Sequence, residues 1–191
     1  TYTGHDEIGS LARHMNDTME RMRNYVGAMQ KQAYQDELTS VKNVAAYDRK
    51  VYDLNQKIAA GQAAFAVVMI DLNQLKEVND RFGHEKGNIA LQTLCRAVCR
   101  LYKHSPVYRI GGDEFVVILE GEDYDNRDAL FQKVQAFERI RDLKAAQPWT
   151  QLAASVGMAV YDQTRDAAYQ AVFNRADTKM YEQKKHLAPR S

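Results

Sequence analysis

The chain has 191 residues, of which 45% are hydrophobic, so it can form one domain of ordinary size with an appendage. Its 26 basic and 25 acidic residues leave a net charge of +1, which argues against a nucleic acid partner. No apolar run approaches the roughly 18 residues of a membrane span, and the polar start TYTGHDEIGS is unlike a signal peptide. We therefore expect this stretch of chain to be soluble.

The first 35 residues carry a seven-residue repeat. Its two apolar positions hold Ile8, Met15, Met22 and Met29, and Ala12, Met19, Val26 and Ala33. Such a stripe, without proline, predicts one long helix that pairs with a partner helix, most simply its own copy in a parallel coiled coil. The alternative is that this helix packs on its own domain. Methionine in the stripe specifies packing poorly, which suits a helix that shifts to carry a signal.

From residue 36 onwards, helical and extended patterns alternate. The predicted elements are helices over 44–60, 73–83, 85–102, 126–146 and 167–187, and strands over 65–71, 106–110, 115–120 and 152–160. The strands on either side of 111–114 are predicted to form a hairpin. These elements predict an α+β domain, in which a sheet of at least four strands, with the hairpin at its centre, is covered by helices.

The two cysteines, Cys95 and Cys99, lie four residues apart in a predicted helix and should share one face of it. We interpret them as small core thiols, because a metal or redox site would need further ligands nearby. Unpaired thiols of this kind make the cytosol the natural compartment.

Acidic residues come where predicted strands meet. Asp71 ends an apolar strand, and Asp113 and Glu114 stand at the tip of the predicted hairpin. If the first strand pairs with a hairpin strand, neighbouring backbones lie about 4.8 Å apart and these carboxylates converge. Oxygen ligands without histidine or cysteine favour Mg²⁺ or Mn²⁺, with the remaining positions left to water and phosphate oxygens.

Glycines and polar side chains surround these acids. Gly111 and Gly112 would let a bulky ligand lie on the turn and let the backbone adopt a positive φ. Lys76, in the helix after Asp71, could contact a phosphate. The polar residues that follow, Asn79, His84 and Asn88, could recognise a base edge, although each could instead cap a helix or form a turn around Gly83 and Gly87.

At these residues the sequence resembles the GGDEF family, the diguanylate cyclases. RIGGDEF carries the motif that names the family, and five further blocks resemble the other family motifs in the same order. They are DELTSVKN, DLNQLKEVND, GHEKGN, SVGMA and ADTKMYEQKK, and together the six blocks span residues 36–185. The resemblance implies an adenylyl-cyclase-like palm, that is, a central, mostly antiparallel sheet flanked by helices, with the long coiled-coil helix at its N-terminus.

The N-terminal stretch DEIGSLARHMNDTMERM resembles the second half of a HAMP signalling domain. This implies a division into a partial HAMP or coiled-coil helix over 1–35 and a GGDEF domain over 36–191. It also implies that the chain is the cytoplasmic portion of a longer bacterial receptor, anchored upstream in the inner or cell membrane.

The resemblance implies that two GTP molecules, one on each domain of a homodimer, condense to cyclic di-GMP and release two pyrophosphates. Carried over by position, Asp71, the carbonyl of Leu72 and Asp113 bind the metal. Asp113 also receives the 3′-hydroxyl proton, and Lys76 stabilises charge in the transition state. Leu38 packs on the base, and the base-side positions are Asn79, His84 and Asn88. Lys184 contacts the triphosphate, and the ligand lies over Gly111 and Gly112. The resemblance leaves the role of Glu114 open.

The sequence departs from the family pattern at several positions. Asn88 stands where the family has an aspartate that accepts two guanine hydrogen bonds, and Asn73 and Leu75 replace a common Asp and Phe. Downstream of Lys184 the family often has Gly-Arg, whereas this chain has HLAPR, so either a phosphate arginine is missing or Arg190 supplies it from a shifted position. The stretch YKHS (102–105) stands where the product-inhibition motif R-x-x-D is expected, so no feedback binding of cyclic di-GMP is predicted there.

Three functions are compatible with these residues. The leading hypothesis is an active cyclase, since Asp71, Asp113, Glu114 and Lys76 are intact. Asn88 favours either a non-catalytic module, which regulates by binding nucleotide or by dimerising, or a cyclase with relaxed base choice that forms a mixed dinucleotide.

Overall fold

The computed structural model describes residues 4–139 and 141–187, without the side chains of residues 4–8 and 26–32. Its helices are α1 (Gly4–Tyr34), α2 (Val44–Ala59), α3 (Leu75–Phe82), α4 (His84–Leu101), α5 (Gly121–Asp125), α6 (Arg127–Gln135) and α7 (Tyr169–Leu187). Its strands are β1 (Ala66–Leu72), β2 (Val107–Arg109), β3 (Glu114–Leu119) and β4 (Ala154–Val160), and a 3₁₀ turn spans Pro148–Thr150. The chain divides into two compact units, Thr1–Gln35 and Asp36–Ser191.

Helix α1 makes up nearly all of the first unit, as the seven-residue repeat predicts. All five repeat positions whose side chains are described are exposed, namely Ala12, Met15 (55%), Met19 (48%), Met22 (69%) and Ala33. The side chains of Ile8, Val26 and Met29 lie outside the described residues. No helix in the described part of the chain is sufficiently long and apolar to cross a membrane.

The four strands form one antiparallel sheet in the order β2-β3-β1-β4. Strands β2 and β3 form the predicted hairpin, and β1 lies between β3 and β4. Single parallel bridges extend the sheet at both sides, between Lys42 and Tyr108 and between Glu138 and Ala154. The prediction of a mostly antiparallel sheet flanked by helices is confirmed.

Every residue of β1 is buried, because helices cover both faces of the sheet. Val68 and Ile70 point into a core shared with α4 and α6, whereas Val67 and Met69 point into a core shared with α2 and α7. This alternation follows from the two-residue period of a strand. The β-branched residues of β1 therefore fix the register that places Asp71 at its end.

The helix predicted over 126–146 is wrong in its second half. Helix α6 ends at Gln135, after which the Phe137 carbonyl accepts a hydrogen bond of 2.8 Å from Ala154 N–H. Strand β4 lies at the edge of the four-stranded sheet, so the backbone groups on its outer side need hydrogen-bond partners. Residues 137–138 supply them. This pairing overrides the local helical propensity of the segment.

The two cysteines have different environments. Cys95 is buried and its Sγ lies 3.8 Å from the Thr39 carbonyl, but Cys99 is exposed, so the interpretation of both as core thiols is wrong for Cys99. Contact between the two thiols raises the pKa of Cys95, which burial raises further. A hydrogen bond from Cys95 outweighs partial burial and lowers the pKa of Cys99 to about 7.

Candidate active site

The end of β1 and the tip of the β2–β3 hairpin lie side by side. Asp71 is the register partner of Glu114, and Leu72 N–H donates to the Asp113 carbonyl at 3.0 Å. The hairpin closes through Ile110 N–H, which donates to the Glu114 carbonyl at 3.1 Å. The backbone positions of the three predicted acids therefore lie side by side at one end of the two inner strands.

Asp71 is only 4% exposed, and Lys184 is the cationic partner of its carboxylate. Lys184 Nζ lies 2.8 Å from both carboxylate oxygens. Burial raises the pKa of Asp71, the hydrogen bond from Lys184 opposes this, and the charges of Asp113 and Glu114 raise it again. Burial opposes charge on Lys184 too, but its hydrogen bond and attraction to Asp71 raise its pKa overall. The site thus gathers more negative charge than Lys184 alone neutralises.

The two hairpin glycines do not need a positive φ, contrary to the prediction, since the positive-φ glycines of the described chain are at other positions. A Cβ on Gly111 would lie 2.7 Å from Glu114 Oε2, so this glycine leaves room for the glutamate side chain. A Cβ on Gly112 would meet no atom within 4 Å, so the backbone there is open to a ligand.

Arg109 ties this hairpin to the start of the second unit. Its Nη1 lies 3.0 and 3.1 Å from the two oxygens of Asp36, and its Nη2 donates to the Gly112 carbonyl at 2.7 Å. Burial acts to raise the pKa of Asp36, but hydrogen bonds from Thr39 and Arg109 lower it overall. No role for Arg109 was predicted from the sequence, although the residue lies within RIGGDEF.

The predicted base-side residues gather where α3 meets α4. His84 and Asn88 are exposed on the first turns of α4, and Asn79 lies on α3 against Gly87, where any Cβ would collide with its side chain. Gln92 Nε2 donates to the Leu38 carbonyl at 3.0 Å, so α4 also fixes the segment that carries Leu38. Lys76 is exposed in the first turn of α3.

The turn between β1 and α3 is unusual. Gln74, at the N-cap of α3, adopts a left-handed conformation with φ 60°, and its side chain does not cap the helix. Asn73 is buried, and its Oδ1 accepts a hydrogen bond of 2.8 Å from Ser155. No contribution of Asn73 or Gln74 to the site was predicted, because no local sequence pattern indicates their long-range hydrogen bonds.

The surface expected to lack product inhibition has no exposed charge at the two motif positions. Tyr102 and Ser105 stand there, and both side chains are buried. Arg190, the one candidate for the missing phosphate arginine, lies outside the described residues.

The described residues contain no group of three or more His, Cys, Asp or Glu side chains arranged to hold a metal ion. The donor set nevertheless fits a hard divalent cation, because Asp71, Asp113 and Glu114 offer carboxylate oxygens and Leu72 a backbone carbonyl. Lys184 now supplies the positive charge beside Asp71.

Comparison with known proteins places the chain in a family. The family described as "Diguanylate cyclase, GGDEF domain" matches residues 33–189. Diguanylate cyclase DgcP of Escherichia coli K12 is 30% identical over 174 residues, which cover 88% of this chain and 49% of that protein. Diguanylate cyclase TpbB of Pseudomonas aeruginosa UCBPP-PA14 is 27% identical over 182 residues, covering 92% of this chain and 41% of that protein. The chain thus spans about half the length of these relatives or less.

Solved structures share the fold. The coiled coil and GGDEF domain of DgcB from Caulobacter crescentus, in complex with c-di-GMP, aligns with a TM-score of 0.71 at 19% identity, covering 94% of this chain and 95% of that one. Diguanylate cyclase SiaD from Pseudomonas aeruginosa, in complex with its activator SiaC, aligns with a TM-score of 0.69 at 22% identity, covering 96% and 70%.

Proposed function

Because the chain belongs to the diguanylate cyclase GGDEF family, we propose that it condenses two GTP molecules into cyclic di-GMP and two pyrophosphates. One observation carries this proposal: Asp71, Asp113, Glu114 and Lys184 gather where β1 meets the hairpin tip. In each half-reaction the 3′-oxygen of one GTP bonds to the α-phosphorus of the other. The bond to pyrophosphate breaks, and the 3′-hydroxyl proton passes to Asp113.

Asp71, Asp113 and the Leu72 carbonyl would hold Mg²⁺ or Mn²⁺, which when bound neutralises phosphate charge and orients the α-phosphate. Glu114 adds a further carboxylate opposite Asp71. Lys184 would leave Asp71 for the triphosphate when the cation arrives, since both compete for the same carboxylate oxygens.

The triphosphate would lie between Lys184 on α7 and the first turn of α3. Gln74 leaves that turn without a side-chain cap, so its amide groups can donate to phosphate oxygens. Lys76 in the same turn adds a positive charge that stabilises the transition state. The open backbone at Gly112 lets the phosphates approach Asp113.

The base would bind at the α3–α4 junction. Asn79, His84 and Asn88 present polar groups there, and Leu38 offers an apolar contact. Asn88 has one acceptor oxygen where two guanine donors must be satisfied, so GTP binds less tightly than it would to an aspartate at this position.

Catalysis needs two such domains face to face, and α1 would supply the dimer as a parallel coiled coil, part of a HAMP transmitter. The exposed Met15, Met19 and Met22 support this pairing. A stalk of this kind raises the local concentration of the two domains. In the full-length protein it would connect to a sensor anchored in the bacterial inner or cell membrane, with this portion in the cytoplasm.

Asn88 favours a second candidate, a module that binds nucleotide or a partner without making product, and also a cyclase that accepts adenine and forms a mixed dinucleotide. Incubation with Mg²⁺ and GTP, with and without ATP, followed by chromatography of the products, separates the three. Cyclic di-GMP alone supports the proposal, and a mixed adenine–guanine product supports relaxed base choice. Absence of any cyclic product at high protein concentration refutes the proposal and leaves the non-catalytic module.

A further inference from the structure

The turn that joins β1 to α3 is held in a costly conformation by distant residues. Gln74 has a side chain and yet adopts left-handed φ and ψ angles of 60° and 32°. Such a conformation persists only where the surroundings fix it, and it concentrates at functional sites. The turn begins directly after Leu72 and ends directly before the first turn of α3, which carries Lys76.

Asn73 anchors the first half of the turn through its backbone N–H and both polar atoms of its side chain. Its backbone N–H donates to the Ala153 carbonyl at 2.9 Å, and its Nδ2 donates to the Arg139 carbonyl at 2.9 Å. Its Oδ1 accepts from Ser155 Oγ at 2.8 Å. Asn73 is 6% exposed and Ser155 is fully buried, so water cannot readily replace these bonds. An aspartate at position 73 would lose the donor that faces Arg139.

Gln74 anchors the second half. Its Oε1 accepts a hydrogen bond of 2.6 Å from Arg141 N–H, which draws the side chain away from α3. A residue at an N-cap commonly accepts from the first-turn amides, but Gln74 does not. The amides of the first turn of α3 therefore remain available.

Arg141 keeps its own segment closed. The residue is 2% exposed, and its Nη1 donates to the Pro148 carbonyl and, at 2.8 Å, to the Gln151 carbonyl. Burial lowers the pKa of Arg141 to about 10. Asn73, Gln74, Arg139, Arg141 and Ser155 thus form one connected set, which we call the brace.

We propose that the brace positions the phosphate-binding end of the site, with Asn73 and Gln74 as positioning residues that direct the uncapped first turn of α3 and Lys76 towards the triphosphate of a nucleotide. The inference rests on the proposed function and deepens it. Among the hydrogen bonds described, the segment after α6 contacts the turn only through Asn73 and Gln74. The inference thereby gives this segment a role in binding the triphosphate.

The test measures binding rather than activity. The affinity for inorganic tripolyphosphate in Mg²⁺ is measured by calorimetry, and that for guanosine by chemical-shift titration. The variants are Asn73→Ala and Gln74→Gly, with Gln132→Ala, exposed on α6, as control. Glycine accepts the left-handed conformation, so Gln74→Gly should fold even if Asn73→Ala does not. Removing the anchor should raise the tripolyphosphate Kd by about tenfold, the effect of one lost hydrogen bond, and leave the guanosine Kd of the folded variant unchanged.

Three results overturn the inference. They are an unchanged tripolyphosphate Kd in folded Gln74→Gly, an equal loss of affinity for both ligands, and a wild-type chain that does not bind tripolyphosphate. A wild-type chain that binds tripolyphosphate through the brace but forms no cyclic dinucleotide refutes the proposed function and leaves this inference standing.

Discussion

Lys184 Nζ lies 2.8 Å from each carboxylate oxygen of Asp71, although 113 residues separate the two in sequence. The lysine is 44% exposed and reaches in from α7, whereas the aspartate is almost fully buried at the end of β1. The pair joins the central strand to the C-terminal helix at the point where the three acids meet. Under the proposed function, a cation bound by Asp71 would compete with this lysine, so metal binding and nucleotide binding would be interdependent.

Asp71→Asn should stabilise the ligand-free protein and abolish the reaction. Because the net pKa of Asp71 is raised, its ionised form is disfavoured in the folded state, and at pH 7.5 this charge lowers stability. Removal of this charge should therefore raise the melting temperature. Calorimetry should also show that Mg²⁺ with GTP stabilises the wild type and not the variant. A variant that melts lower, or is still stabilised, would contradict this role.

Lys184→Gln should weaken GTP binding. A charge-assisted hydrogen bond to phosphate is worth about 1.5–3 kcal/mol, so the GTP Kd should rise at least about tenfold. Lys185→Gln is the matched control, since Lys185 is exposed and lies 4.4 Å from the centroid of the Tyr181 ring. Equal losses in the two variants, measured by equilibrium binding, would indicate a general effect of charge.

Asn88→Asp should improve guanine recognition. A carboxylate at this exposed position of α4 can accept from both the N1–H and the 2-amino group, which the amide oxygen cannot do equally well. We expect the ratio of GTP to ATP affinity, and GTP turnover, to rise by about tenfold, as one recovered hydrogen bond allows. An unchanged ratio would show that Asn88 does not contact the base.

Met19→Lys combined with Met22→Lys should convert a dimer into a monomer. Both methionines are exposed on α1 at repeat positions, so they would lie in a coiled-coil interface, where two lysines from each chain repel. Sedimentation velocity measures the outcome. Asn16→Lys with Asn24→Lys, at exposed positions outside the repeat, is the control and should remain dimeric. If the methionine variant stays a dimer, the contact lies elsewhere.

Cys99 should react with iodoacetamide at neutral pH. Its pKa of about 7 makes about half of it thiolate there, whereas an ordinary cysteine has a pKa of about 8.5. Mass spectrometry of the rate against pH should give a midpoint near 7, with Cys95 protected by burial. Cys95→Ala removes the hydrogen bond and should move the midpoint upwards. A wild-type midpoint at or above 8.5 would contradict the thiol contact.

The parts of the fold that depend on local pattern could be predicted from the sequence. The apolar run that ends in Asp71 and the two strands around Gly111–Glu114 have the period and the turn residues of a sheet, and the structure pairs them as expected. The helix predicted beyond Gln135 fails because the open edge of β4 offers Phe137 and Glu138 backbone partners that no local pattern reveals.

The parts of the site that depend on long-range contacts could not be predicted in this way. The family motif pointed to Lys184, but nothing in the sequence placed it on Asp71. Asn73 replaces an aspartate that is common in the family, and no role for it was predicted from the sequence. Its value lies in the amide donor, which meets the Arg139 carbonyl 66 residues further along the chain.

Gly157, in the middle of β4, determines how closely α7 packs on the sheet, although it lies outside the site itself. A Cβ there would collide with the Ala176 carbonyl and the Met180 backbone, reaching the Met180 Cα at 3.0 Å, so α7 rests directly on the strand. Any larger residue would lift the whole helix outwards. Lys184 lies one turn beyond Met180. A single methyl group at position 157, which has no chemical role, would therefore move the Lys184 ammonium away from the Asp71 carboxylate.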